Sequence, residues 1–245
     1  MIKGLYTAEA GMRPKLARME ILANNLANIN TTGFKRDRAF AEALDDASAA
    51  REAAGTDNQQ TQQYIDFTEG SLNQTGNPLD IALQGRGFLV VETPNGVRYT
   101  RNGNLQLALD GSLVTAQGSP VLGTAGRLQL PDVQRLEQGS ILISETGEVM
   151  VGKQNIGRLR IVDFENPQML QKDHESLFSA LPGARMVEGP GKATTVRQGS
   201  LEESNVEGIE EMVAMIEISR GYEADQKSIQ AQDATMEKTM EVGKL

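Results

Sequence analysis

The segment from Gly147 to Lys153 has the residue types and most of the spacing of a phosphate-binding loop. It reads G-E-V-M-V-G-K. The pattern G-x-x-x-x-G-K-[ST] needs a final hydroxyl residue, and it needs a following helix that presents backbone N–H groups to phosphate. Position 154 is Gln, and the surrounding residues predict strands and turns. We therefore interpret the segment as a hairpin turn.

Three other groups of residues could in principle carry chemistry. Gly85-Arg86-Gly87 is half of a dinucleotide-binding fingerprint, but no third glycine or helix follows, so it predicts a bend between strands. His174-Glu175 lacks the second histidine of a zinc-binding helix, which favours a solvated loop. The third group is a set of carboxylates that could pair as general acid and base, namely Asp80, Asp110, Asp163, Glu92 and Glu165. Nearly every acidic domain offers such pairs, so they do not indicate catalysis.

The composition excludes several classes of function. Lys and Arg total 24 and Asp and Glu total 33, so the formal net charge is −9. Nucleic-acid binders concentrate basic charge, and we expect no nucleic-acid partner. With no cysteine and one histidine, the chain has no disulfide, thiolate nucleophile, cysteine-ligated zinc or multi-histidine metal site. We predict no catalytic residue, cofactor or metal, and no enzyme activity.

Neither a secretory signal nor a membrane span is visible in the sequence. The first ten residues, MIKGLYTAEA, contain one Lys and then Glu9, without a continuous apolar segment. Nowhere do about 18 apolar residues run together. We expect a chain that is cytosolic or that leaves the cell by a route without a cleaved signal, and that makes no direct membrane span.

Glycine and proline divide the chain into a middle and two ends. Of 25 glycines, 18 lie from Gly70 to Gly199, and of 8 prolines, 7 lie from Pro78 to Pro190. This density of helix breakers excludes long helices from the middle. Alternating apolar runs and the turn signals Asn95-Gly96 and Asp110-Gly111 predict consecutive hairpins in an antiparallel sandwich or irregular barrel. The predicted strands are 78–83, 88–91, 97–101, 105–109, 113–115, 128–130, 141–143, 149–151 and 156–164.

Both ends of the chain have the periodicity of long helices. The first helix is predicted over about 2–29 and is followed by Gly33 in a left-handed conformation, although Pro14 favours a bend or a weak first segment. The second is predicted over about 206–240, after a capping box of Ser204 and Glu207. Between the first helix and the middle, the alanine-rich and polar segment 35–68 is predicted to be a mobile or extended connector that includes a possible helix.

Each predicted helix has a narrow apolar stripe that needs a partner, because helices in proteins are stabilised mostly by packing. The simplest partner is the other terminal helix, and a two-helix core is thin enough to predict further helices from other copies or chains. Alternatively, both helices pack on the middle of their own chain. The stripes consist of Leu5, Met12, Leu16, Met19, Leu22, Leu26 and Ile29 at one end, and of Ile209, Met212, Val213, Ile216, Tyr222, Ile229, Met236 and Met240 at the other.

Several blocks, spread over the whole chain, strongly resemble signatures of the flagellar basal-body rod and hook family. They are Ala23-Asn24-Asn25-Leu26-Ala27-Asn28, Thr31-Thr32-Gly33-Phe34-Lys35-Arg36, Asn77-Pro78-Leu79-Asp80-Ile81-Ala82-Leu83, Gly85-Arg86-Gly87-Phe88, Tyr99-Thr100-Arg101-Asn102-Gly103, Gly199-Ser200-Leu201-Glu202-Glu203-Ser204-Asn205-Val206, Glu211-Met212-Val213, Met215-Ile216 and Arg220-Gly221-Tyr222-Glu223. They stand in the family's order. Within the family, Tyr99–Asn104, Val121–Gly123 and Gly199–Glu202 resemble a proximal-rod member more than a distal-rod member.

The resemblance implies a structural subunit of the rod, the drive shaft between rotor and hook, which polymerises helically. It implies an α+β fold with long N- and C-terminal helices that pair as a coiled coil, and with a central, mainly antiparallel β domain. The corresponding domains are an N-terminal helix over 1–32, a connector over 33–69, a β domain over 70–200 and a C-terminal helix over 201–245. The alternatives are a distal-rod or hook subunit, and a secreted β-domain enzyme or glycan-binding module with oligomerisation helices.

The resemblance also implies partners and a location. The partners are further copies of the chain, inner proximal-rod and distal-rod subunits, and the type III export apparatus. The location is the periplasmic rod of the basal body, reached without a cleaved signal peptide. The residues predicted to mediate self-assembly are Leu16, Met19, Leu22, Leu26, Ile29, Ile209, Met212, Val213, Ile216, Tyr222, Ile229 and Met236, together with Asn24, Asn25 and Asn28, whose amides we expect to form hydrogen bonds between subunits.

Overall fold

The computed structural model describes residues 2–39, 63–130, 141–173, 176–189 and 194–242, without the side chains of 2–10 and 236–242. The chain divides into two compact units. The helical unit consists of Met1–Asn28, Asp37–Asp66 and Val206–Leu245, and the β unit consists of Ile29–Arg36 and Phe67–Asn205. Most of the predicted connector, 40–62, lies outside the described residues.

Two long helices, α1 (Ile2–Ala27) and α2 (Gly208–Val242), lie in the helical unit. α1 is continuously helical through Pro14, the residue at which we predict a bend or a weak first segment. α2 begins later than predicted, and Ser204 lies too far upstream to be its N-cap. The carbonyl oxygen of Glu207 instead accepts a hydrogen bond from the N–H of Glu211, at 3.1 Å.

The two helices are in contact and run antiparallel. Lys15 of α1 lies 2.6 Å from Asp225 of α2, whereas Asn25, further along α1, lies 3.1 Å from Glu211, which is earlier in α2. A short antiparallel pair of strands, β1 (Asp37–Ala39) and β2 (Gln63–Ile65), belongs to the same unit. Together with the β unit, these elements confirm the α+β class.

The β unit is built from short antiparallel strands. Its described strands are β3 (Leu72–Gln74), β4 (Ile81–Gln84), β5 (Phe88–Thr93), β6 (Gly96–Thr100), β7 (Leu105–Leu107), β8 (Leu113–Thr115), β9 (Leu122–Gly123), β10 (Gly126–Arg127), β11 (Ile141–Ile143), β12 (Glu148–Val151), β13 (Gln154–Arg158), β14 (Ile161–Phe164), β15 (Leu170–Lys172), β16 (Leu177–Ala180), β17 (Met186–Glu188), β18 (Thr195–Gln198) and β19 (Ser200–Glu202). Six of them form one sheet in the order β15-β16-β6-β5-β14-β17, and β11-β12-β13 form another. The remaining strands pair two by two as β10-β9, β18-β4, β19-β3 and β7-β8.

The predicted hairpins are confirmed where glycine supports a turn. Strands β5 and β6 pair with Thr93 opposite Gly96, whose φ of 101° is one that residues with a Cβ rarely adopt. Strands β7 and β8 likewise pair across the Asp110-Gly111 turn. Two expectations are wrong. Residues 128–130 form only an isolated antiparallel bridge, Gln129 to Ser112, and no extended strand. The single strand predicted over 156–164 is divided between β13 and β14, which belong to different sheets.

The core of the β unit combines aliphatic side chains with an aromatic group. The ring of Phe88 lies 5.6 to 5.9 Å from the rings of Phe67, Phe164 and Phe178, and Tyr99 packs edge-on to Phe164 at 4.9 Å. Such edge-to-face contacts add to the stabilisation from apolar burial. The aliphatic cluster consists of Ile81, Leu83, Leu89, Val91, Leu105, Leu113, Val121, Leu128, Leu130, Ile141, Ile143, Val149, Leu159, Ile161 and Val196.

Candidate functional site

The face that α1 buries overlaps the stripe predicted for it only at Leu22. Ile21, Leu22 and Asn25 are buried, while Leu16 is 44% exposed. At about 100° per residue, the buried face is turned by roughly a quarter of the helix circumference from the predicted stripe. Of the other predicted residues, Met19, Leu26, Asn28 and Ile29 are half-buried and Asn24 is exposed.

On α2, four of the predicted assembly residues remain uncovered. Ile209 is 77% exposed, Met212 46%, Val213 51% and Ile216 53%. Their spacing of three, four and seven residues places them on one face of the helix, and we call them the exposed stripe. Further along, Tyr222 and Ile229 are half-buried, and the side chain of Met236 lies outside the described residues.

The opposite face of α2 is the one that contacts α1. It carries the fully buried Glu211 and the half-buried Ala214, Met215 and Ile218. At 3.6 residues per turn, this face is centred about 180° from the exposed stripe. The expectation that the stripe itself packs against the other terminal helix of the same chain is therefore wrong for these four residues.

A hydrogen-bonded network of Asn25, Asp37 and Glu211 lies in the helical unit. The amide nitrogen of Asn25 donates to the carbonyl oxygen of Asp37 at 2.8 Å and to Glu211 Oε2 at 3.1 Å. The backbone N–H of Asp37 donates to Asn25 Oδ1 at 2.9 Å. Because Asn25 is wholly buried within the chain, these bonds replace the inter-subunit hydrogen bonds that we expected from it. The side chain of Asn28 donates to the carbonyl oxygen of Asn24, one turn earlier.

A second polar contact joins the helices further along. Lys15 Nζ donates to Asp225 Oδ2 at 2.6 Å and to the carbonyl oxygen of Gly221 at 3.1 Å. A Cβ on Gly221 would lie 3.3 Å from Lys15 Nζ, which is tighter than an ordinary contact. Gly221 therefore leaves room for the lysine to cross the helix surface, and the pair is about one-third exposed.

The β unit contains a buried group of three charges, Lys35, Arg101 and Glu202. Glu202 Oε1 accepts from Lys35 Nζ at 2.5 Å and from the N–H of Gly70 at 3.1 Å, and Oε2 accepts from Arg101 Nη1 at 3.3 Å. Lys35 Nζ also donates to the carbonyl oxygen of Thr68 at 2.6 Å. A buried charge is tolerated only when it is paired and hydrogen-bonded, as all three are here.

Burial and neighbouring groups affect the pKa of Lys35 and provide further contacts for Arg101 and Glu202. Burial lowers the pKa of the Lys35 ammonium, while the adjacent Glu202 carboxylate acts in the opposite direction. The Arg101 guanidinium lies 5.2 Å above the ring of Phe88, a favourable cation–π contact. The backbone N–H of Gly33, at a φ of 67° as predicted, donates to the carbonyl oxygen of Glu202 at 2.8 Å.

Sequence reasoning missed this group of charges. Lys35 lies in the segment predicted to be a mobile or extended connector, and no role is predicted for Arg101 or Glu202. One signal was present, since each of the three residues lies in a different block of the family signature. The structure brings those three blocks together at a single carboxylate.

The segments considered for enzyme chemistry lie in strands and turns of the described chain. Gly147 to Lys153 forms strand β12 and the turn into β13, and Gly85 to Gly87 connects β4 to β5, as predicted. The candidate carboxylates each have a local partner: Asp80 bonds to Thr75 and Asn104, Asp110 to Ser112, Asp163 to the N–H of Phe164, Glu92 to Arg127 and Glu165 to Arg185. His174 and Glu175 lie outside the described residues.

Within the described residues, no three His, Asp or Glu side chains gather as they would around a metal ion. Neither α1 nor α2 combines the length and apolar composition that crossing a membrane requires.

Comparison with known proteins assigns the chain to a family. Residues 5–35 match the family described as flagella basal body rod protein, residues 82–151 the flagellar hook protein FlgE/F/G D1 domain, and residues 197–242 the flagellar basal body rod FlgEFG protein C-terminal. The chain belongs to the flagellar basal-body rod protein family.

Full-length relatives support this assignment. The chain is 32% identical to the flagellar basal-body rod protein FlgG of Buchnera aphidicola subsp. Acyrthosiphon pisum, over 97% of this chain and 98% of the relative. It is 31% identical to the flagellar basal-body rod protein FlgF of Caulobacter vibrioides, over 91% of both chains. It is 33% identical to the flagellar hook-basal body complex protein FlhO of Bacillus subtilis, over the whole of both chains.

Proposed function

We propose that the chain is a non-catalytic structural subunit of the flagellar rod, and that the exposed stripe of α2 packs against a helix of another copy of the chain. The observation that carries the proposal is the stripe itself. Ile209, Met212, Val213 and Ile216 form a continuous apolar face that α1 leaves uncovered, in a chain whose relatives are named as basal-body rod proteins.

The stripe can supply a useful free energy of association. Fully burying a large aliphatic side chain stabilises by about 1.5–3 kcal/mol. Because the four side chains are roughly half-exposed or more, covering them adds on the order of 3–6 kcal/mol per contact before ordering costs. A stripe on one copy that meets a different surface on the next makes a heterologous contact, which generates an open helical polymer when the rotation does not close.

The finer assignments follow from the family. We propose that the antiparallel helix pair acts as a coiled coil in the assembled rod, surrounded by helices of neighbouring rod subunits. The chain would reach the periplasmic rod through the type III export apparatus without a cleaved signal. The blocks Tyr99–Asn104, Val121–Gly123 and Gly199–Glu202 favour the proximal rod. The identities to FlgG and FlgF relatives, 32% and 31%, do not separate the two positions, so a distal-rod position is the alternative.

The test of the stripe is Ile216→Glu, expressed in the native bacterium after deletion of the chromosomal gene. A charge at this position cannot be buried against an apolar partner without a large penalty. We expect loss of swimming and absence of the variant from purified hook–basal bodies, with the protein still secreted. Glu217→Gln, on the adjacent exposed residue, is the matched control and should swim normally. Normal swimming by Ile216→Glu would refute the assignment of the stripe.

The position along the rod needs a separate measurement. Purified hook–basal bodies are labelled with gold-coupled antibody against the chain and viewed by electron microscopy. Gold at the membrane-proximal end supports the proximal-rod assignment, and gold next to the hook supports the distal-rod alternative. Recovery only in soluble fractions, with swimming unchanged after gene deletion, would contradict a role in the rod.

A further inference from the structure

The first half of α2 offers α1 two apolar faces, and the chain uses the less apolar of them. The exposed stripe carries Ile209, Met212, Val213 and Ile216. The covered face carries a carboxylate, Glu211, among Ala214, Met215 and Ile218. Apolar burial alone would select the stripe as the partner of α1, because it contains more apolar surface and no charge. Another interaction must therefore reverse this preference.

Asn25 of α1, which is also fully buried, is joined to Glu211 by a hydrogen bond of 3.1 Å. Asn25 divides its two amide hydrogens between the carbonyl oxygen of Asp37 and Glu211 Oε2. With α1 on the stripe instead, the second hydrogen would meet Ile, Met and Val side chains and would have no acceptor. Leaving a buried donor unsatisfied costs more than an ordinary hydrogen bond gains.

We infer that the hydrogen bond from Asn25 to Glu211 selects the face of α2 that packs on α1 and thereby keeps the exposed stripe uncovered. Asn25 is then a positioning residue, and Glu211 is the hydrogen-bond acceptor on α2 that it requires. A single buried polar residue that fixes register at some cost in stability is known from helical assemblies. The inference rests on the proposed function only where it assigns the exposed stripe to contacts between copies, because the choice between the two faces of α2 is made within one chain.

The test measures which face of α2 is covered in the monomer. The chain has no cysteine, so Met215→Cys and Ile216→Cys each introduce a single reactive thiol, on the covered face and on the stripe. The rate of maleimide labelling of the full-length chain is followed by mass spectrometry at a concentration where it is monomeric. With Asn25 present, we expect Ile216→Cys to react faster than Met215→Cys.

Two substitutions then remove the selecting donor. Asn25→Asp keeps the size of the side chain but places a second carboxylate beside Glu211, and Asn25→Leu replaces the amide by an apolar group. In both we expect the ratio of the Ile216→Cys rate to the Met215→Cys rate to fall by about tenfold or more, the factor expected for a lost hydrogen bond to a charged group. Asn24→Asp and Asn24→Leu are the matched controls, because Asn24 is adjacent but exposed, and they should leave the ratio unchanged.

The remaining outcomes overturn the inference. An unchanged ratio in both Asn25 variants would show that another contact selects the face. Fast labelling at both positions, with loss of the helical circular dichroism signal, would show that the network holds the helices together and does not choose between faces. The proposed function is tested separately. If the labelling ratio falls in the Asn25 variants but Ile216→Glu swims normally, Asn25 still selects the covered face, and only the role of the exposed stripe in contacts between copies is refuted.

Discussion

Glu202→Ala is the substitution whose effect follows most directly from the geometry of the β unit. The carboxylate accepts from Lys35, from Arg101 and from the backbone N–H of Gly70, and its side chain is inaccessible to solvent. Alanine removes the carboxylate with which both buried cations form ion pairs. Removing one partner of a buried ion pair costs about 3–5 kcal/mol, and we expect Glu202→Ala to lower the free energy of unfolding by that amount.

The assay is equilibrium unfolding in urea, followed by far-UV circular dichroism of the purified full-length chain. With a urea m-value near 2 kcal/mol/M, the expected loss moves the midpoint down by roughly 1.5–2.5 M. Glu203→Ala is the matched control. This neighbouring carboxylate is exposed and bonds to Ser71 Oγ, and substitutions at such surface positions usually change stability by about 0.5 kcal/mol or less. Equal midpoints for Glu202→Ala and Glu203→Ala would refute the reasoning that the buried carboxylate neutralises Lys35 and Arg101.

Three further predictions concern packing and protonation. A Cβ on Gly103 would lie 1.7 Å from the carbonyl oxygen of Ile81, so Gly103→Ala should lower the melting temperature sharply, as differential scanning calorimetry would show. Burial lowers the pKa of Lys35 from its ordinary 10.5, so just below pH 10.5 the unfolded chain binds more protons than the native chain. The free energy of unfolding should therefore rise with pH in that range, and more steeply than for Lys35→Met. Urea titration at each pH measures both. The hydrogen bond from Arg127 lowers the pKa of Glu92, and Arg127→Gln should return that pKa toward 4.5, measured by NMR, with little change in the stability of this exposed site.

The elements that sequence reasoning predicted well are those fixed by local chemistry. The helices lie where glycine and proline are scarce, and the hairpins form where Asn95-Gly96 and Asp110-Gly111 supply a turn. Strands β1 and β2 were missed because three residues of mixed polarity carry no usable periodicity. Their pairing joins Asp37 to Ile65, which are distant in the sequence.

The packing of α2 could not be predicted, because the decisive contact is distant in sequence. Apolar spacing selected Ile209, Met212, Val213 and Ile216 correctly as one face, but it could not show that this face remains uncovered. Glu211 resembles an ordinary solvated charge until Asn25, 186 residues earlier in the chain, is placed beside it. The same limitation applies to Glu202, whose partner Lys35 is 167 residues away.

Both buried polar groups therefore act on the fold in a way that apolar burial cannot. An apolar side chain gains almost as much from one apolar neighbour as from another, since the hydrophobic effect has no direction. Asn25 and Glu202 gain only when particular donors and acceptors meet at hydrogen-bond distance, and they are penalised elsewhere. In the helical unit this requirement favours a partner face that contains a carboxylate, and the more apolar face of the same helix stays exposed. A chain that must pack with itself and then with its neighbours needs such a distinction, because apolar surface consumed within the subunit is no longer available between subunits.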